Sequence, residues 1–289
     1  MPIQERYWYN GQVLERDAFC LGPENRAFRY GDGLFETILI RHGKPVGLQL
    51  HLQRLLEGME ILGLDPQLAG FTADQWRHHL EQVVGKLLIG QDESGFGRMR
   101  ISVFRAAGGF YLPTNDAPEL VAEVHPLPSD PWTLRPPLHL CIAHAVPVVH
   151  SALSPVKSLN ALPYVMAARH AAAQGFDDAI IRSFKGEVVE CAASNIFIVI
   201  QNRILTPWLG SGCLPGTMRA RVTAVAQRLG MLVQAHPIQI QRLNDASEIF
   251  ITNAIQGIQP VGSVAETTYV SKHHKVMSTI RDAVLEEVG

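Results

Sequence analysis

Apolar residues recur at helical spacing through Leu48, Leu52, Leu55, Leu56, Met59 and Leu62, which predicts a helix over residues 48–62 that ends at Gly63. Around it the period drops to two. YWYNGQVLE reads as two short strands joined at Asn10-Gly11, and FETILIR as a strand turning at HGK. Residues 73–90 carry a second helical pattern, and RMRISVFRAA and ELVAEV (119–124) read as strands. The texture then changes. HPLPSDPWTLRPP, residues 125–137, is crowded with proline and reads as a linker. Beyond it LHLCIAHAVPVV is a strand, and a helix is expected from about Leu159 to Gln174, closed by Gly175. FDDAIIRSFKGEVVECAASNIFIVIQNRILTP holds three or four strands separated at FKG and QN. MRARVTAVAQRLG is a helix capped by Gly230, and ASEIFITNAIQGIQPV is a strand entering a Gly/Pro loop. The predicted organisation is an N-terminal domain over 1–124, a linker over 125–137 and a C-terminal domain over 138–289. Hairpins interrupt the strand–helix alternation, so the pattern predicts a mixed α/β (α+β) fold and not a regular doubly wound sheet.

Composition narrows the function classes. The chain has 289 residues and a formal net charge of −2, which gives no basic face for nucleic acid and no polybasic patch for a membrane surface. No apolar run approaches the roughly 18 residues a spanning helix needs. MPIQERYWYNG lacks the apolar core of a signal peptide. Cys20, Cys141, Cys191 and Cys213 are scattered without a CxxC spacing, so a disulfide framework is not expected and a reducing cytoplasm is.

Four features could carry chemistry. Lys157, in SPVKSLN, stands between a proline turn and an apolar helical run with no acidic neighbour nearby. A lysine in dry surroundings can attack a carbonyl, although a surface lysine near a helix start is the commoner reading of these residues alone. Glu190 lies in the apolar strand EVVEC, where a carboxylate costs free energy unless it is paired. It could meet a cationic ring nitrogen or lie on an exposed edge. Arg54 sits at the margin of an apolar helical stripe, able to snorkel to solvent or to grip a phosphate. SGCLPGTMRARV runs a Gly-containing turn straight into a helix, whose free N–H groups form an anion site. There is no P-loop, and His78-His79 and His273-His274 lack metal spacing, so no metal is expected. An amine for an aldehyde, a carboxylate for a pyridine nitrogen, and an arginine with a helix N-terminus for a phosphate are together the handles of pyridoxal 5'-phosphate.

The order of the motifs YGDGLFET (30–37), HLQRL (51–55), KSLN (157–160), ECAASNIF (190–197), LPGTMR (214–219) and TNAIQGIQPV (252–261) resembles the class IV (fold type IV) pyridoxal-phosphate enzymes. These include branched-chain and D-amino-acid aminotransferases and 4-amino-4-deoxychorismate lyase. The resemblance spans nearly the whole chain and decides between the two readings of Lys157. It implies a small N-terminal α/β domain, a larger barrel-like C-terminal domain, the cofactor in the cleft between them, and a homodimer. By position, Lys157 matches the Schiff-base lysine and proton shuttle, Glu190 the partner of the pyridine nitrogen, and Arg54 the phosphate arginine. Thr217 and Met218 would offer backbone N–H groups to the phosphate, with Asn253 and Ala254 closing the cup. Tyr30 and Arg105 match positions that face substrate in some members. The reaction implied is transfer of an amino group between an amino acid and a 2-oxo acid. The alternative is the lyase that releases pyruvate and 4-aminobenzoate. Leu162, five residues after the lysine, has the lyase texture, whereas the AAGG that follows Arg105 departs from it. Donor side chain, L or D preference and pathway are not legible.

Overall fold

The computed structural model describes residues 6–69, 73–88, 94–269 and 274–288. Residues 89–90 of the predicted second helix, and His273, lie outside the described residues. The first hairpin forms as predicted, with β1 (Arg6–Tyr9) and β2 (Gln12–Glu15) turning at Asn10 and Gly11, both at positive φ. α1 (Arg26–Tyr30) is capped by the Asn25 side chain, which accepts from the Phe28 N–H. β3 (Gly33–Arg41) turns through His42-Gly43 into β4 (Lys44–Pro45), and α2 (Leu48–Leu62) follows over the predicted span. α3 (Ala73–Leu88), β5 (Phe96–Arg105) and β6 (Pro118–Pro126) complete this half. β6 reaches two residues into the predicted linker.

Beyond it come β7 (Leu138–Val148), α4 (Leu162–Ala173), β8 (Asp178–Ser183), β9 (Val188–Cys191), β10 (Asn195–Ile200) and β11 (Arg203–Pro207). The chain continues with α5 (Thr217–Arg228), β12 (Val233–His236), β13 (Glu248–Asn253), β14 (Gly257–Val264), β15 (Thr267–Thr268) and α6 (Lys275–Val288). β12, β15 and α6 were not foreseen. GIQPV, expected as a loop, is part of β14, and Pro260 fits there because pairing with β7 begins only at the next residue, Val261.

Two compact units result. One holds residues 1–131 together with Val156–Asn160, and the other holds Trp132–Pro155 with Ala161–Gly289. The segment around Lys157 therefore belongs to the first unit, not to the C-terminal domain as expected. Its backbone explains why. The Phe35 N–H donates to the Lys157 carbonyl at 2.8 Å, and the Leu159 N–H donates to the Gly33 carbonyl at 3.0 Å. Ser158 thus bridges Leu34 on the side of β3 away from β5. Because residues 157–159 are extended, α4 starts at Leu162 and not at Leu159.

The first unit is an antiparallel sheet in the order β2-β1-β6-β5-β3-β4, with α2 and α3 packed on one face. Alternation puts Leu34, Ile38 and Ile40 of β3 and Met99, Ile101 and Val103 of β5 into the core. Leu48, Leu52, Leu55 and Met59 of α2 and Trp76, Leu80 and Val83 of α3 meet them there. The second unit is a curled, mixed sheet in the order β12-β11-β10-β13-β14-β7-β8-β9, with β15 beside β14. It is parallel at β7–β8, β7–β14 and β11–β12. Among the described residues no helix is long and apolar enough to cross a membrane.

Candidate functional site

In the first unit the buried charged side chains gather where β3 runs beneath α2. Glu36 shares the core face of β3 with Leu34 and Ile38 by simple alternation, and it is 1 % exposed. A carboxylate there must be paired, and α2 supplies both partners. Arg54 donates through Nε to Glu36 Oε1 at 2.8 Å and through Nη2 to Oε2 at 2.7 Å. His51 Nδ1 lies 2.6 Å from Oε2. Burial pushes the Glu36 carboxyl up, but the Arg54 charge and the bonds from Arg54 and His51 outweigh it and bring it down to about 2. Burial depresses His51, and the charges of Arg54 and Lys157 depress it further against the pull of Glu36. Arg54 therefore does not snorkel. It is buried with one edge of its guanidinium fixed by Glu36.

Lys157 is half-buried at the edge of the same strand, its Nζ 4.5 Å from the centroid of the Phe35 ring. The Arg100 guanidinium lies 3.8 Å over that ring, and burial lowers the pKa of Arg100. One aromatic side chain thus serves two cations. Its electron-rich faces let them come close together at moderate electrostatic cost.

Tyr30 and Arg105 belong to another corner of this unit. Tyr30 ends α1, its ring 5.5 Å from that of Tyr111 and under the Arg26 guanidinium. Arg105 is 5 % exposed and donates to Asp32, Asp116 and the carbonyls of Leu62 and Gly63. Arg26 in turn donates to Asp32 and to the carbonyls of Gly108, Phe110 and Tyr111. The two arginines fix the path of the loop after β5. That loop, AAGGFYLPTN over residues 106–115, carries no charged side chain.

In the second unit hydrogen bonds tie three loops together. Glu190 lies on β9, the last strand in the sheet order, yet it is 4 % exposed, so it is not the exposed edge residue that the sequence left open. Tyr164 Oη of α4 donates to its Oε1 at 2.8 Å. The Leu214 N–H donates to Oε2 at 3.1 Å, with Asn195 Nδ2 at 3.4 Å from the same oxygen. Asn195 also donates to the Leu214 carbonyl at 2.9 Å. The segment beside α5 is thereby fixed to β9 and β10.

α5 begins at Thr217 and Met218, both buried, behind an extended Gly216 with no side-chain cap. Its first N–H groups are those an anion would take. A Cβ on Gly216 would fall 1.8 Å from Asn195 Oδ1, so this close approach requires glycine. The third loop joins β13 to β14. Asn253 Oδ1 accepts from the N–H groups of Ile255 and Gln256, and Asn253 Nδ2 donates to Ser194 Oγ at 3.0 Å. Ala254 sits at the tip, its carbonyl accepting from Trp132 Nε1. Asn253 thus shapes this loop with its side chain.

Of the residues expected at the site, Lys157 and Arg54 both act by their charge on His51. Glu190, the start of α5 and the 253–256 loop are joined by Asn195, Leu214 and Ser194. Tyr30 and Arg105 stand apart with loop-building partners. Glu36, His51, Arg100, Tyr164 and Asn195 were not foreseen as site residues. Glu36 carried the signal that had drawn attention to Glu190, a carboxylate inside an apolar strand. His51, Arg100 and Tyr164 pair across long sequence separations and leave no local trace, whereas Asn195 lies five residues from Glu190.

The profile of the family described as amino-transferase class IV matches residues 33–264. An aminodeoxychorismate lyase from Bacillus subtilis is 26% identical, the alignment covering 97% of this chain and 94% of the relative. A D-alanine aminotransferase from Bacillus licheniformis is 25% identical, covering 97% and 98%. The crystal structure of a branched-chain aminotransferase from Thermoproteus uzoniensis with norvaline superposes with a TM-score of 0.85 at 24% identity, covering 98% and 96%. Identity to the lyase and to the aminotransferases is nearly the same, so overall likeness does not choose between the reactions.

Proposed function

This chain belongs to the class IV aminotransferase family, an enzyme family dependent on pyridoxal 5'-phosphate, and from that premise we propose that it transfers an amino group between an amino acid and a 2-oxo acid. The donors present fit the cofactor. The second unit offers a buried carboxylate and a helix start without a side-chain cap behind a closely packed glycine, and the first unit offers a lysine and a buried arginine. When bound, the cofactor supplies an aldehyde that condenses with amines and a ring that draws electrons from the Cα–H bond. Lys157 Nζ would be the amine that holds the aldehyde, and it would move the proton at substrate Cα. Glu190, met by Tyr164, Leu214 and Asn195, would accept the ring N–H. Thr217 and Met218 would offer backbone N–H groups to the phosphate, and the buried Arg54 would add its positive charge there. Asn253 holds the loop that presents Ala254. Arg100, which shares the Phe35 ring with Lys157, is the cation best suited to the substrate carboxylate.

The observation that favours transfer over elimination is the loop at 106–115. It has no lysine, arginine or histidine, whereas aminodeoxychorismate carries two carboxylates and asks for more than one cation. A simple amino acid asks for one. The same reading makes the enzyme a homodimer in the cytoplasm. The exposed side chains of Phe110, Tyr111 and Leu112 suit coverage by a second copy, and Cys141, Cys191 and Cys213 are free and buried.

The test is a visible absorption spectrum of the loaded protein, taken while L- and D-amino acids are added singly. Bleaching by one donor and return with a 2-oxo acid is the expected result, absent from Lys157→Ala. An unchanged spectrum with every donor, together with pyruvate release from aminodeoxychorismate, would replace this reading with the lyase.

A further inference from the structure

We infer that Tyr164 is a positioning residue that aims the Glu190 carboxylate at the cofactor ring nitrogen, an assignment that rests on the reading above. The geometry singles it out. Glu190 lies in a strand whose four residues are all buried, so solvent does not orient its carboxylate. Three elements do. Oε2 is met by the Leu214 N–H and by Asn195, which belong to the frame around α5. Oε1 is met by the Tyr164 phenol from the first turn of α4. With both oxygens engaged from different directions, the plane of the carboxylate is set. A buried carboxylate free to rotate would offer the ring nitrogen a poorer acceptor.

Tyr164 is a dependable donor. Burial, and then the adjacent Glu190 charge, push its phenol far above the ordinary tyrosine value. Two thiols also feel the Glu190 charge. Burial raises Cys213, and the Glu190 charge raises it further; burial also raises Cys191, with the Asp178 and Glu190 charges adding to it. Both stay neutral, so the phenol is the titratable group that steers the carboxylate. The chain order adds a second point. Lys157 and Tyr164 lie on one short stretch, SPVKSLNALPY, so a single segment delivers the amine and the phenol that orients the ring's other contact.

The test separates ring-nitrogen effects from general structure. Full-length protein stripped of cofactor is titrated with pyridoxal phosphate and with 1-deazapyridoxal phosphate, in which C–H replaces the ring nitrogen. Wild type should prefer the natural ring at least tenfold. In Tyr164→Phe that preference should shrink by about tenfold, the worth of a hydrogen bond to a charged group, while affinity for the deaza ring stays unchanged. Tyr164→Met, which fills the same space with a flexible apolar chain, serves if the phenylalanine variant does not fold. An unchanged or larger preference in the variant overturns the role of Tyr164 and leaves the cofactor reading standing. Equal loss for both rings makes Tyr164 merely structural and also overturns it. Wild type that binds neither ring, or both equally, overturns the reading of Glu190 and this inference with it.

Discussion

Phe35 shows how one residue can organise a site without doing chemistry. It stands on β3 between Leu34 and Glu36, both buried, and turns its ring to the opposite face. Lys157 Nζ and the Arg100 guanidinium both approach that ring. An amine kept near a second cation is easier to deprotonate, which is what a lysine attacking an aldehyde needs. The arrangement also divides the labour. Arg54 is committed on one edge to Glu36, and Arg105 to Asp32, Asp116 and two carbonyls. Arg100 shares the Phe35 ring with Lys157. Arg100→Ala should therefore raise KM for the amino donor by roughly tenfold, the usual worth of a charge-assisted contact. The dissociation constant for pyridoxal phosphate should stay within about twofold. Steady-state kinetics beside a spectral titration would show it, and an unchanged KM would remove Arg100 from substrate binding.

At the scale of elements, what was legible depended on how local its cause was. The α2 helix was read from its apolar spacing over its full span, because that stripe meets β3 and β5 directly. The start of α4 was misplaced by three residues because the extended backbone of 157–159 is imposed by hydrogen bonds to Gly33 and Phe35, more than a hundred positions away. GIQPV looked like a loop because its glycine and proline punctuate locally, whereas its place between β13 and β7 is set by the sheet. The site follows the same rule. Lys157 and Glu190 could be found from ordered motifs, but Tyr164 is joined to Glu190 only by folding. The short element before α5 gives this a consequence. Gly216→Ala places a methyl against Asn195 Oδ1, and Asn195 is itself tied to Leu214. The helix start and the frame around Glu190 must move together. Pyridoxal phosphate should then bind about tenfold more weakly, with a Tm loss of only a few degrees. Retained affinity would mean that the first N–H groups of α5 do not hold the phosphate.

The whole molecule is two units with separate cores, and among the described residues the Glu36–Arg54–His51 cluster belongs to the first. That asymmetry predicts how the protein responds to acid. Glu36 has a folded pKa near 2, below its ordinary 4.5, so its contribution is complete above pH 4.5 and is lost as pH falls toward 2. The depressed His51 acts in the same direction. An unfolded chain takes up a proton near pH 6.5 that the folded one resists, so stability begins to fall below that value. Over the full carboxylate window the Glu36 effect is on the order of 3 kcal/mol. The tryptophans allow it to be located. Trp8 and Trp76 are buried in the first unit, while Trp132 and Trp208 belong to the second. In a chain carrying Trp132→Phe and Trp208→Phe, urea midpoints read by fluorescence should fall steeply between pH 4.5 and 3. With Trp8→Phe and Trp76→Phe instead, the fall should be shallower. Adding Glu36→Gln to the first reporter should lower the midpoint at pH 7, because Arg54 is left buried without its carboxylate. It should also flatten the acid slope. If that slope persists in Glu36→Gln, the acid sensitivity lies in other carboxylates, and the Glu36–Arg54–His51 cluster is not the group that couples the first unit to pH.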